Sequence, residues 1–384
     1  MDAMIRLNEY MSNRVIELKR MRDEGKKVVA YFIGDFVPTE IIYAAGAIPV
    51  GLVYGGDSDA VDASSYAVYR YLCPFARAQF GYWVMRDHVP YYNFIDLLTV
   101  PISCQHLRRA GDLYEYYTDI PVFKMGLPQA YDGERALKYF KDTLVLFKNR
   151  VEALTGNKIG NEDIRAAVKV YHRMRDLLRK ISELRKLPRP PITTIDFIRL
   201  NHAAHLADPK FMIEILESLY EEVRGKEGLY ENRPRILIAG PNIALGDLKV
   251  LNLIEELGGM TVVEDIAEGI LFYWENVVCN RDPIAALAER YLMKRPNCSF
   301  RWPNLERHLD FIGTLARDFS VDGIIWYQLS LCETFIMESY FIKERFGQMD
   351  PPIPFLRIDS EYDIGDIGPL RTRIETFIQL LKKK

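Results

Sequence analysis

Three of the five cysteines in this sequence stand where a strand-like run gives way to a helix, and a thiol so placed can bind metal. Cys73 follows VYRYL and opens CPFARAQFGYWV. Cys104 follows DLLTVPI by one residue and leads into QHLRRAGDLYEY. Cys332 follows DGIIWY and the joint QLSL, and leads into ETFIMESYFIKERF. In an open parallel sheet, ligands collect beyond the carboxyl ends of the strands. At a helix N-terminus, free amides and the positive end of the dipole favour thiolate. Three thiolates on one edge of a fold suit a soft metal or an iron–sulfur cluster. The spacings, 31 and then 228 residues, match neither a zinc ribbon nor a ferredoxin, so the inference rests on topology. Any one of these cysteines taken alone reads equally as a small buried hydrophobe. Three ligands on a four-iron cluster leave one iron without a thiolate, and an open position admits water, sulfide or a substrate oxygen. Cys279 in ENVVCNRD and Cys298 in RPNCSFRW stand at no such joint and are expected to be structural.

Other side chains could act beside such a centre. Asp35 and Glu40 bracket the first strand-to-helix turn, where a carboxylate could orient or protonate a substrate; Glu40 could also simply complement its helix N-terminus. His106, two residues after Cys104, could donate to a cluster sulfur or a substrate oxygen, or be an ordinary first-turn histidine. His202 and His205 (HAAH) share a helical face, but no HExxH glutamate or third ligand accompanies them. Arg371 and Arg373 could meet phosphates or carboxylates, and surface ion pairs explain them as well. The turn Gly240-Pro241-Asn242 lacks GxGxxG, and GxxxxGK[ST] does not occur, which disfavours dinucleotide binding and ATP hydrolysis by this chain.

The elements that position these residues alternate between strand and helix. Val28 to Ile33 reads as a buried strand, Pro38 to Ala45 as a helix and Ile48 to Val53 as the next strand, the unit of a parallel sheet. Asp96 to Ile102 is a further strand and Gln105 to Tyr117 a helix. From Asp132 to Val223 the pattern is helical, with Asn161 expected to cap the helix through ISEL. A second block follows: strands at Arg235 to Gly240, Thr261 to Glu264, Asp322 to Tyr327 and Ile353 to Ile358, with helices at Leu248 to Leu257, Glu333 to Phe346 and Leu370 to Leu381. The division is an α/β domain at 1–131, a mainly helical segment at 132–232 and a second α/β domain at 233–384. A chain of 384 residues has room for two or three domains at roughly 150 residues each. Fifty basic against 53 acidic residues give no excess that points to nucleic acid or anionic membrane. The longest apolar stretch, Ile41 to Gly56, is interrupted by Pro49 and falls short of the about 20 residues a span needs. The N-terminus reads as an amphipathic helix rather than a secretory signal, and an odd number of scattered cysteines points to a reducing cytoplasm.

At these residues the sequence resembles the 2-hydroxyacyl-CoA dehydratase and benzoyl-CoA reductase family, on the subunits that carry four-iron–four-sulfur clusters. The matching stretches are YFIGDFVPTEIIYAAGAIPVGL (31–52), CPFARAQFGY (73–82), VPISCQHLRRAGDLY (100–114), RILIAG and EELGGMTVVED (235–240 and 255–265), VDGIIWYQLSLCE (321–333) and PFLRIDSEYDIGDIGPLRTRIETFIQLL (354–381). The resemblance implies two Rossmann-like, flavodoxin-like parallel-sheet domains and a [4Fe-4S] cluster held by Cys73, Cys104 and Cys332. It also implies a homologous sister subunit, an ATP-hydrolysing iron–sulfur activator that supplies low-potential electrons, and an acyl-CoA substrate that is dehydrated through a ketyl radical or reduced on an aromatic ring. Two departures stand out: Leu331-Cys332-Glu333 where many relatives have FCD, and Ala267 where relatives often carry cysteine. The latter weakens a double-cubane reductase of small unsaturated molecules as the alternative. A non-catalytic electron relay is the other alternative.

Overall fold

The computed structural model describes residues 1–384 except 69, 229, 280–281, 297–303, 364 and 384; Cys298 therefore lies outside the described residues. Eight strands form two parallel sheets. The first contains β1 (Val28–Phe32), β2 (Ile48–Leu52), β3 (Leu97–Pro101) and β4 (Val122–Met125). The second contains β5 (Arg235–Ala239), β6 (Met260–Asp265), β7 (Gly323–Leu329) and β8 (Phe355–Ser360). Their orders are β2-β1-β3-β4 and β6-β5-β7-β8, so the two halves repeat one topology, the beginning of the flavodoxin order. All six pairings are parallel. Strands β1, β2, β3, β6 and β7 are buried along their whole length, which is why they read as continuous apolar runs rather than alternating ones.

The expected elements appear with ends moved by one to three residues, and three details differ. The helix Asn161–Glu183 is capped by Gly160, whose N–H donates to the Asp163 carboxylate at 2.7 Å, so Asn161 is its first helical residue and not its cap. Strand β4 carries only four residues, three of them half-exposed, and leaves little apolar signal in the sequence. Of the run before Cys73, Arg70 and Tyr71 make a turn rather than a strand, with Tyr71 73% exposed.

Helices Gly133–Thr155, Asn161–Glu183, Thr194–Leu206 and Pro209–Val223 lie between the sheets in sequence. One apolar core joins them in space: Ala30, Phe32 and Val50 of the first sheet share it with Ile236, Ile238 and Ile325 of the second. The other two cores also mix the halves. Ala3, Met4 and Leu7 of the N-terminal helix (Asp2–Asp23) pack with the second sheet, whereas Val277, Ile284, Leu287, Tyr291 and Leu292 pack with Val29, Tyr31 and Phe140 on the outer side of the first. No described helix is long and apolar enough to cross a membrane.

Candidate functional site

In each sheet the chain leaves the first strand to one side and returns on the other, so a crevice opens between the carboxyl ends of β1 and β3, and again between those of β5 and β7. The two crevices face one another. The turn after β1 contributes Ile33, Gly34 and Phe36, and that after β3 contributes Ser103 and Cys104. The turn after β5 contributes Pro241 and Asn242, and the end of β7 contributes Leu329 and Cys332. Together with Cys73, Phe75, Leu107, Ala267, Leu271, Arg295, Thr334 and Phe335 they enclose a cavity of about 100 Å³. The structure thus brings Cys73, Cys104 and Cys332 to one cavity from positions far apart in the chain.

Each of the three caps a helix. Cys73 precedes Pro74–Val84, where Pro74 occupies the first helical position that has no amide to waste. Cys104 precedes Gln105–Tyr117 and its Sγ accepts the Leu107 N–H at 3.4 Å. Cys332 precedes Glu333–Gly347, and Leu331 before it takes the left-handed conformation (φ 63°) that L side chains seldom adopt. Backbone amides of Phe335 and of Phe75 and Ala76 also point at the Cys332 and Cys73 sulfurs. Burial, followed by the neighbouring Cys104, pushes the Cys73 thiol up to about 12. Burial and then Cys73 and Cys104 hold the Cys332 thiol well above its ordinary value. Cys73 and Cys332 are therefore held protonated by burial and by the neighbouring sulfurs. A bound cation reverses that preference, because a coordinated thiol is deprotonated outright. Among the described residues, no three His, Cys, Asp or Glu side chains form a ready ligand set for a metal ion.

The remaining sequence candidates fall around this cavity rather than on its wall. The His106 Nδ1 accepts the Cys73 N–H at 3.2 Å, tying the Cys73 loop to the helix that Cys104 caps; burial lowers its basicity. Asp35 accepts from Arg290 Nη1 at 2.7 Å in a buried pair. Burial raises its pKa more than Arg290 and Arg295 lower it. Glu40 is fully buried and accepts from Arg175 Nη1 and the Tyr291 hydroxyl, each at 2.8 Å. Burial alone would raise it, but the Arg175 charge and these bonds hold it below the usual carboxylate range. Both acids fasten the first βα turn to the neighbouring pair Arg290 and Tyr291.

His202 and His205 share one face, as the spacing implies, and that face is a seam. His202 Nε2 donates to the Ile243 carbonyl at 2.8 Å; His205 Nε2 donates to the Glu268 carbonyl at 3.2 Å and its Nδ1 accepts from the Tyr31 hydroxyl at 2.9 Å. Arg371 pairs with Glu256 at 3.0 Å and Arg373 with the Arg357 carbonyl, both away from the cavity. The Cys279 sulfur lies 3.6 Å from the Arg165 guanidinium on the outer core. The sequence reading missed Arg175, Arg290, Tyr291 and Arg295, which have no local signature. It also passed over Asn242, which could have been found as the polar residue at the end of β5.

Comparison with known proteins matches residues 36–381 to the family described as 2-hydroxyglutaryl-CoA dehydratase, D-component. The chain belongs to this dehydratase family. Over 94% of its length it is 30% identical to an Escherichia coli (strain K12) protein named as a dehydratase subunit, YjiM, covering 93% of that protein. It is 23% identical to one of the benzoyl-CoA reductase subunits of Thauera aromatica (94% of this chain, 92% of the relative). It is 21% identical to the beta subunit of the (R)-2-hydroxyglutaryl-CoA dehydratase of Acidaminococcus fermentans (95% of each). The Thauera and Acidaminococcus relatives are named as subunits of a benzoyl-CoA reductase and a 2-hydroxyglutaryl-CoA dehydratase, and the match to the dehydratase family spans the positions of all three cysteines.

Proposed function

We propose that the chain is the cluster-bearing subunit of an enzyme that acts on an acyl-CoA thioester, with Cys73, Cys104 and Cys332 as the ligands of a [4Fe-4S] cluster. The observation that carries this reading is the convergence of three helix-capping cysteines on one cavity at the meeting of two switch points. The donor set fits the group. Three cysteine sulfurs meet on one largely apolar cavity wall, and a cluster spreads its thiolates over separate irons rather than gathering them on one ion. When bound, the cluster supplies one-electron reduction and, on the iron without a thiolate, an open position for a substrate oxygen.

The chain's own residues perform the rest. Ile33, Phe36, Phe75, Leu271, Leu329 and Phe335 keep water from the cavity, which strengthens every electrostatic interaction inside it. The first-turn amides donate to sulfur, His106 fixes the Cys73 loop, and Asp35 and Glu40 hold the β1 turn in place. In this reading electrons come from an ATP-hydrolysing iron–sulfur activator, and the enzyme is completed by a homologous sister subunit. The reaction is dehydration of a 2-hydroxyacyl-CoA or reduction of an aryl-CoA. Support comes from the named relatives, which are subunits of such enzymes.

Anaerobic purification with iron and sulfide counts and electron paramagnetic resonance tests the ligand set. Cys73→Ser, Cys104→Ser and Cys332→Ser each lose the cluster, and Cys279→Ser keeps it. Full iron content in all three variants refutes the assignment. Turnover of 2-hydroxyglutaryl-CoA against benzoyl-CoA, with a low-potential reductant and the co-purifying subunit, then fixes the reaction.

A further inference from the structure

Among the described residues that enclose the cavity, Arg295 is the one with a permanent charge, and no carboxylate joins it in the wall. The side chain is buried and held by the β1 turn in three ways. Its Nη2 donates to the Gly34 carbonyl at 2.7 Å, the guanidinium lies over the Phe36 ring at 4.1 Å, and Nε is 4.0 Å from Asp35. Asp35 is nearer to Arg290, at 2.7 Å, and Glu40 is 2.8 Å from Arg175. Three buried guanidiniums thus share two carboxylates on this side of the cavity. Net charge in a dry site is costly unless an opposite charge meets it. A four-iron cluster with three thiolates is an anion, and reduction makes it more negative. We propose that Arg295 is the countercharge of the cluster and raises its reduction potential by favouring the reduced, more negative form. This rests on the cluster reading above and adds the residue that sets the energy of the electron.

Two observations favour an electrostatic role over a purely structural one. Arg290 already closes the short ion pair with Asp35 and also donates to the Leu271 and Phe272 carbonyls. The β1 turn is thereby fastened without Arg295, whereas only Arg295 brings its charge to the wall of the cavity. The three cysteines also cap helices whose N-termini face the same space, and the positive ends of those dipoles act in the same direction as the guanidinium. The surrounding wall is apolar, with Ile33, Phe75, Leu329 and Phe335 in it. Low polarity lets a fixed charge act across the whole cavity without a hydrogen bond to sulfur. The Gly34 carbonyl and the Phe36 ring hold the cation in place, so it need not reorganise when the electron arrives.

Redox titration of the anaerobically loaded full chain, followed by electron paramagnetic resonance, provides the test. Arg295→Gln removes the charge and lowers the one-electron reduction constant about tenfold or more, a fall of about 59 mV or more in midpoint potential. Arg295→Lys keeps the charge and shifts the potential by less. Asp35→Asn removes a negative charge and moves the potential upward; asparagine tolerates the left-handed φ of 54° at that position. Iron lost from Arg295→Gln but kept by Arg295→Lys also supports the proposal, because the cluster then fails for want of a cation. Iron lost from both variants overturns it, as does an equal shift in both, since the site then needs the shape of arginine and not its charge. An unchanged potential in Arg295→Gln overturns it as well. Wild-type protein that takes up no iron overturns the cluster reading and this proposal with it.

Discussion

A carboxylate without water around it needs a cation, and Glu40 meets Arg175 where both side chains are fully buried. Arg175 is satisfied at each nitrogen: Nε donates to the Phe272 carbonyl, Nη1 to Glu40 and Nη2 to the Tyr291 hydroxyl. Removing one member leaves an uncompensated charge in a dry site, which costs about 3–5 kcal/mol, whereas removing both costs much less. Arg175→Met is accordingly expected to lower the unfolding free energy by about 3–5 kcal/mol, and Glu40→Leu with Arg175→Met to recover most of it, as measured by urea denaturation. Because Glu40 titrates below its ordinary range, its contribution is present above pH ~4.5 and is lost as the pH falls through the depressed value. Additive losses in the double variant would show that the two groups do not act as a pair.

The helix Glu333–Gly347 that Cys332 caps is anchored on its inner side by His308. This imidazole lies between Glu338 of that helix and Asp265 at the end of β6, at 2.5 Å from each, with all three groups buried. Burial opposes the charged ring, but Glu338 and Asp265 outweigh it and raise its pKa to about 10. A folded value above the unfolded one near 6.5 gives stability that is complete below pH ~6.5 and is lost as the pH climbs toward 10. Between pH ~7 and pH ~10 the wild type should therefore lose stability, and His308→Gln, weaker at pH ~7, should show a flatter profile; parallel profiles would rule out this clamp. Elements of this kind were unevenly legible in the sequence. Short apolar runs between helical stretches revealed seven of the eight strands among the described residues, and the helix starts at Cys104 and Cys332, because burial on both faces leaves a nearly unbroken hydrophobic signature. Strand β4 was too short and exposed to register, and Tyr71 and Leu72 before Cys73 gave no sign that the chain turns at Arg70 and Tyr71. Pairs such as Glu40 with Arg175, or His308 with Asp265, were beyond reading, since partners 135 and 43 residues apart leave no periodicity.

At the scale of the whole molecule, the cavity exists because two copies of one sheet topology set their switch points face to face. The seam behind it is a backbone contact. Tyr54 pairs with Leu245 as an isolated parallel bridge, the Gly55 N–H donates to the Leu245 carbonyl at 3.1 Å, and the Leu245 N–H donates to the Val53 carbonyl at 2.7 Å. Gly56 lies in this contact at φ 77°, and a Cβ there would run into the backbone of Gly246 and Asp247. Alanine at this position carries two penalties, the left-handed conformation at about 1–2 kcal/mol and the overpacking at about 1–3 kcal/mol. The second can be relieved only by parting the turn after β2 from the one that continues from Asn242. Gly25, at φ 92° with nothing within 4 Å of the same hypothetical atom, carries the first penalty alone. Gly25→Ala should therefore lose about 1–2 kcal/mol in urea denaturation and keep its full complement of iron. Gly56→Ala should lose more stability and also retain less iron per chain, since Cys73 and Cys104 belong to one side of the seam and Cys332 to the other. Equal iron content in the two variants would mean that the approach of the domains at this seam does not set the geometry of the three sulfurs.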